Sequence, residues 1–519
     1  MLSNWWYPPE EGNRSSTDDG KVDTDDDTQI MEPDQGNGEL LLSPVRPRSL
    51  PLTIAIVLSH LISQLRPGAD LSRVTLPTFI LEPRSMLERI TNFMCHPEML
   101  LHIPRLEDPV ERFVSVVKFY LSGWHIRPPG VKKPLNPILG EIFTCYWDLE
   151  EGGRAYYISE QTSHHPPKSS YFYMAPGHHI RIDGTLKPRS KFLGNSAASL
   201  MEGVAFLTLL NRGSDPSKGE QYILTQPNMY ARGILFGKMK YELGDHSVVR
   251  CPELDLTADI EFKVKGWVGG TYNAIGGTIK RESTGEVLYE LSGLWSEEMF
   301  IKDTTTGHRE MFFHARRSKP SNPQVRPIQD QEERESQRLW EKTANAVRER
   351  NHELATDEKT KIEERQRVEA AQRAQEGVEW KPRLFRAVKD GPGEPEQDRA
   401  SLEFIIDADI DMSAPADKQA EQITAIYPII DGQQVSAAHS YPRSAPQKSS
   451  PEEESKGEAA DVTGAGQNGD AAPMPAKSPD EIESMLAATS KPKEGPLIDF
   501  TQELKKDLPA GDGHQSKDT

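Results

Sequence analysis

Glu160-Gln161-Thr162-Ser163-His164-His165-Pro166-Pro167 is the stretch on which the reading of this 519-residue chain turns. Two adjacent histidines stand in front of two prolines. Each proline fixes its own φ and restricts the residue before it, so the imidazoles sit on a stiff polar ledge, placed whether or not a ligand is there. The spacing is not that of HExxH zinc ligands, and the prolines deny the helix that would bring Glu160 onto the same face, so no metal site is read. Imidazole N–H groups suit phosphate, and a nearby dianion favours the protonated ring. General-base chemistry is the rival reading, yet no GxSxG elbow or local cysteine nucleophile accompanies the pair. A pair of loop histidines bonded to backbone is the plain alternative.

Two further segments carry groups of the same kind. In Lys132-Lys133-Pro134-Leu135-Asn136-Pro137-Ile138-Leu139-Gly140-Glu141, Lys133 offers a compact cation and Asn136 an amide, each fixed by a neighbouring proline. The same residues also read as an ordinary turn leading into a strand. In Lys359-Thr360-Lys361-Ile362-Glu363-Glu364-Arg365-Gln366-Arg367, a helix would put Lys359, Glu363 and Arg367 at i, i+4 and i+8. A solvated ladder of charges has the same spacing. Taken together, phosphate suits the Lys and Arg groups and sugar hydroxyls suit Glu and Asn, so a phosphorylated head group is the ligand that uses them all.

Bulk composition narrows the class. A formal charge of -19 excludes a non-specific nucleic-acid binder. Cys95, Cys145 and Cys251 are few, odd in number and far apart, which fits a reducing compartment and no disulfide framework. No signal peptide is read at the N-terminus. The longest apolar stretch, from Leu50 to Leu65, is broken by Ser59, His60, Ser63 and Gln64, too short and polar to span a bilayer. A cytoplasmic protein with peripheral membrane contact is expected.

Residues 1–44 are predicted to be a disordered, acidic N-terminus with Asp23, Asp25, Asp26 and Asp27 clustered in it, and 389–519 a disordered tail. Between them, residues 45–388 form the expected folded domain. Ile54, Leu58, Leu61, Ile62 and Leu65 recur at helical spacing, giving a helix over about 50–68, stopped by Pro67-Gly68, that reads either as core packing or as a lid. Helices are expected over Ser85–Met99, Pro109–Ser122 and 330–375. Short apolar runs with turn signals follow from Ile142 to about His314, among them Ile142–Trp147, Tyr171–Met174, Val204–Leu210 and Gly233–Leu243. They predict an α+β fold: a large incomplete antiparallel β-barrel enclosing a tunnel, with N-terminal lid and helices and C-terminal helices.

The ledge resembles the EQ-x-SHHPP fingerprint of the oxysterol-binding-protein family, carriers of single lipids between membranes. The other two segments resemble the family's phosphoinositide-binding positions, and the likeness runs from roughly 45 to 388. It implies that Lys133, Asn136, His164, His165, Lys359, Glu363 and Arg367 hold the head group of phosphatidylinositol 4-phosphate. The stretches Ala69–Ser85, Tyr120–Gly123 and Ser190–Ser196 are similar to the phosphatidylserine-transporting branch. In that branch, positions matching Leu71, Leu76, Lys133, Asn136 and Ser190 line the phosphatidylserine site. The implied activity is exchange of phosphatidylserine for phosphatidylinositol 4-phosphate at contact sites between endoplasmic reticulum and plasma membrane, with a sterol as the alternative second lipid. No enzyme activity, cofactor, metal or nucleic-acid partner is implied. Glu403-Phe404-Ile405-Ile406-Asp407-Ala408-Asp409 resembles an acidic two-phenylalanine motif for an endoplasmic-reticulum receptor, with an extra residue and no second aromatic.

Overall fold

Short apolar runs in the middle of the chain pair into one 15-stranded sheet. In the computed structural model, residues 78–434 are described except 128–131, 151, 234–239, 267–268 and 389–401. The expected lid, Leu71, Leu76 and the aspartate cluster therefore lie outside the described residues. Ahead of the sheet, β1 (Leu81–Ser85) pairs in parallel with β2 (Lys133–Leu135). The sheet itself comprises β3 (Ile142–Asp148), β4 (Arg154–His164), β5 (Pro167–Ala175), β6 (Ile180–Leu186), β7 (Pro188–Phe192), β8 (Ser196–Met201), β9 (Val204–Leu209), β10 (Glu220–Thr225), β11 (Asn228–Arg232), β12 (Lys240–Cys251), β13 (Leu256–Lys263), β14 (Ala274–Arg281), β15 (Val287–Leu294), β16 (Glu298–Asp303) and β17 (Arg309–His314).

Its main path runs β17-β16-β15-β14-β13-β12-β10-β9-β6-β5-β4-β3, and β7-β8-β11 branch from the first half of β12. The edges β3 and β17 do not pair with each other, so the barrel stays incomplete. The β3 edge is covered instead by single bridges from Ile142 to Glu335 and Tyr146 to Gln324.

The interior is filled at one side by the helix Pro109–Ser122. Asp108 caps it by accepting from the amides of Val110 and Glu111 at 2.8 and 2.9 Å, and Pro109 opens its first turn. Phe113, Val116, Val117, Tyr120 and Leu121 bury against Tyr157, Leu207 and Ile260 of the sheet in one cluster. Arg112, buried with them, is satisfied by two bonds to Glu220 at 2.9 and 2.6 Å.

Two expectations are corrected. The helix over Ser85–Met99 is broken into Met86–Arg89, a 3₁₀ turn Ile90–Met94 and Pro97–Leu100, because Pro97 drives His96 out of the helical region (φ -121, ψ 65). Of the strand expected over Gly233–Leu243, Lys240–Leu243 open β12, and residues 234–239 lie outside the described residues. Within the tail expected to be disordered, residues 402–434 fold. There β19 (Phe404–Ile406) pairs with β18 (Phe385–Ala387), and the helix Ala416–Ile426 follows. Ile406, Ile423, Ile426, Tyr427 and Ile429 bury on the outer face of β3–β5, against Ile142, Ile158 and Phe172. The Pro- and Ser-rich average of the region had hidden these few apolar residues. Since Ile405 and Ile406 are buried, the resemblance of Glu403–Asp409 to a receptor motif is explained by a strand.

Candidate functional site

Two of the sequence segments are stitched together by main chain. The amide of Gly140 donates to the carbonyl of Gln161 at 3.0 Å, and that of Gln161 to the carbonyl of Glu141 at 2.9 Å. Gly140 has φ +74, and a Cβ there would lie 2.5 Å from the Trp380 ring, so only glycine fits. The fully buried Glu141 accepts from Ser336 Oγ at 2.7 Å, Trp340 Nε1 at 2.9 Å, the Ile138 amide at 3.1 Å and Ser85 Oγ. Burial raises its pKa above the ordinary carboxylate range, and these donors hold it back. Glu160 accepts from the amides of Arg383 and Leu384, both at 2.8 Å, and burial pushes it up to about 7.

The ledge is the tip of the β4–β5 hairpin, where His164 pairs with Pro167 and the His165–Pro166 peptide is cis. Ser163 Oγ donates to the Pro166 carbonyl at 2.7 Å and closes the turn. The two imidazole centroids are 4.5 Å apart, His165 exposed and His164 part-buried.

The third segment lies on the helix His352–Glu376, capped by Asn351 and ended by Gly377 at φ 67. Its buried residues are Ala355, Lys359 and Gln366, with Ile362 packed on Leu135, Ile138 and Trp340. Lys359 pairs with Glu363 at 2.6 Å. Arg367 lies off this stripe: eight residues turn the helix about 80° past two full turns. Its side chain is 59% exposed and paired with Glu364 at 2.6 Å.

Gln366 joins all three segments. Its Oε1 accepts from the Leu139 amide at 2.8 Å, which leaves Nε2 to donate to His164 Nε2 at 2.8 Å. His164 is thus a neutral ring with its proton on Nδ1, which is buried and faces the Pro137 carbonyl. Burial, then the neighbouring His165, lowers its pKa to about 4; the Pro137 carbonyl and Glu363 oppose the shift. Lys133 is solvent-exposed yet surrounded by protein, because what it faces is a cavity. Burial and then Lys359 lower its pKa, and Glu363 opposes them. Asn136 is exposed just beyond β2.

That cavity, of about 270 Å³, is mainly apolar, with Ile80, Met86, Phe93, Trp124, Phe192, Met201, Met229 and Leu243 among its walls. Lys132, Lys133 and Ser190 line it too, as do Arg89 and Arg127. Phe93 and Gln226 also line a deeper pocket with Tyr120. So Lys133 and His164 both lie within electrostatic reach of Glu363, which pairs with Lys359; Ser190 lies on the cavity wall, and Arg367 stands on the exposed side, 4.0 Å from Glu363. Gln366, Glu141, Arg89 and Arg127 were missed by sequence reasoning. Only Gln366 carried a signal, standing seven residues from Lys359, two helical turns along the same face.

A family profile described as "Oxysterol-binding protein" matches residues 60–348. The chain is 49% identical over 387 residues to oxysterol-binding protein-like protein OBPalpha of Candida albicans, covering 74% of this chain and 88% of that one. It is 47% identical over 435 residues to oxysterol-binding protein homolog 6 of Saccharomyces cerevisiae, covering 83% and 90%. Among solved structures, the Osh1 ORD domain in complex with ergosterol superposes with a TM-score of 0.55 at 23% identity, over 70% of this chain and 91% of that one.

Proposed function

From the premise that this chain belongs to the oxysterol-binding protein family, a lipid-binding family, we propose that it exchanges phosphatidylserine for phosphatidylinositol 4-phosphate between membranes. The observation that carries this is one apolar cavity whose wall includes both Ser190 and Lys133, with Lys133 sharing charge with Lys359 and Glu363. Each methylene left in water costs about 0.8 kcal/mol, so two acyl chains cost on the order of 20 kcal/mol and a carrier must enclose them. One diacyl lipid then excludes the other, and a phosphoinositide gradient drives phosphatidylserine the opposite way.

Lys133, Asn136, His164, His165, Lys359, Glu363 and Arg367 are assigned to the phosphorylated head group, and Leu71, Leu76, Lys133, Asn136 and Ser190 to phosphatidylserine. A cavity of about 270 Å³ is below the usual span for drug-sized ligands, so a diacyl lipid requires the wall to yield. Met86, Met201 and Met229 supply side chains that re-pack readily.

The protein acts from the cytoplasm as a peripheral carrier at endoplasmic reticulum–plasma membrane contacts, not as an enzyme. Among the described residues no helix is long and apolar enough to cross a membrane. Replacing His164 and His165 together by Ala is expected to abolish phosphoinositide extraction from liposomes while phosphatidylserine extraction survives. Equal loss of both lipids would count against separate head-group sites.

A sterol as second lipid gains from Gln226 Oε1, buried without a hydrogen-bond partner where it lines both the cavity and the adjoining pocket with Tyr120, so that a ring hydroxyl would donate to it. Mass spectrometry of co-purified lipid separates the two readings.

A further inference from the structure

Four cations line the apolar cavity, Arg89, Arg127, Lys132 and Lys133, and none of its described wall residues is an aspartate or glutamate. Lys133 shares the field of Lys359 and Glu363. Arg89 has its counter-charge in the buried Glu82, at 2.5 Å, but Arg84 takes the same carboxylate, also at 2.5 Å. One negative charge therefore answers two guanidinium groups. Arg127 has no such partner: among the described residues, the ionisable groups that act on it are the Tyr241 phenol and Arg89. Burial lowers its pKa, Tyr241 opposes the shift and Arg89 adds to it. A guanidinium does not give up its proton in a protein, so this charge persists.

Arg127 lies over the Trp295 ring, 5.1 Å from the centroid, and that ring is buried. The arginine itself is accessible, so a ligand in the cavity can reach it. A cation held against a ring face keeps its N–H fork for another partner, and two parallel donors match the two oxygens of a carboxylate. Trp124 and Ile126 precede it in the chain and, with Phe93, Phe192 and Met201, supply apolar wall. A charge facing such walls costs free energy unless it is paired. An anion carried on an acyl chain pairs it while the chain covers the walls. A cavity of about 270 Å³ suits one such chain better than two.

We propose that this cavity also binds a single-chain lipid acid, Arg127 taking the carboxylate with Arg89 beside it. The site rests on the exchange reading only in taking the cavity for a lipid's, and it adds a ligand of a different class from both cargo lipids.

The test is equilibrium dialysis of the full chain against radiolabelled oleate and radiolabelled oleyl alcohol, each below its aggregation limit. The alcohol has the same chain and no charge. Oleate is expected to bind at one per chain, and Arg127→Gln to weaken it about 10- to 100-fold, the loss of a charge-assisted pair. Arg127→Lys should recover part of that loss, and the alcohol should bind wild type and both variants alike. Equal oleate affinity in wild type and Arg127→Gln overturns the site. Loss of acid and alcohol together overturns it too, since Arg127 would then only hold the cavity open. So does a variant that keeps oleate but loses water-soluble short-chain phosphatidylinositol 4-phosphate, which would give Arg127 to the cargo. A wild-type chain that binds oleate but transfers neither cargo lipid between vesicles would sink the exchange reading and leave the carboxylate site standing.

Discussion

Gln366 spends both ends of one amide, on the Leu139 N–H and on His164 Nε2, so His164 meets any ligand with its tautomer already chosen. Gln366→Leu leaves a part-buried amide and a ring nitrogen unsatisfied, a loss of about 1–3 kcal/mol. We expect phosphoinositide affinity to drop about tenfold or more with phosphatidylserine binding little changed, as read by titration with short-chain lipids; unchanged affinity would remove Gln366 from the site. His164 also sets a pH response. Its folded pKa of about 4 lies below the unfolded 6.5, so between those values the unfolded chain holds a proton that the folded chain lacks. The contribution of His164 to stability is therefore present above pH 6.5 and lost as pH falls towards 4, by roughly 2–3 kcal/mol. Urea midpoints at pH 7 and pH 4.5 should converge in His164→Gln, and an unaltered pH dependence would contradict the assignment. Gly140 is the other single residue on which the site depends. Gly140→Ala meets both a positive φ and the Trp380 ring, and should destabilise by roughly 3 kcal/mol. Trp380→Leu in the same chain should recover the steric part, as chemical denaturation would reveal.

At the scale of elements, the ledge hairpin is held from both sides. One face meets the helix His352–Glu376 through Gln366, and the other meets the folded segment 402–434. Lys168, directly after the ledge, and Lys187 both pair with Glu403, and Thr185 Oγ1 donates to the Leu402 carbonyl at 2.7 Å. Thr144 Oγ1 donates to the Pro428 carbonyl at 2.9 Å further along the same face. A chain ending at 388 would uncover Ile142, Ile158, Phe172 and Met174, and such an apolar patch on a sheet face promotes association. We expect that shortened chain to melt several degrees lower and to aggregate, whereas one ending at 434 matches the full chain. Equal melting temperatures for the two would make the segment dispensable.

For the molecule as a whole, the incomplete barrel matters because an unclosed sheet leaves its interior for a cavity instead of a packed core. Much of this was legible beforehand. The strands were signalled by short apolar runs between turn residues, the helix Pro109–Ser122 by its helical pattern, and the ledge by residues rarely found together. These are local signals, fixed by backbone sterics within a few residues. The folded segment 402–434 was invisible because its apolar residues are few and find their partners on strands more than two hundred residues earlier. Gln366 looked like one more polar residue on a charged helix, and Arg367 looked equivalent to Lys359 until the helix was docked. What the sequence by itself determined was the kind of chemistry available: imidazoles, cations and amides set in rigid turns. Which of them face one another was decided only by tertiary structure, because burial, tautomer and pKa depend on neighbours brought together from distant parts of the chain.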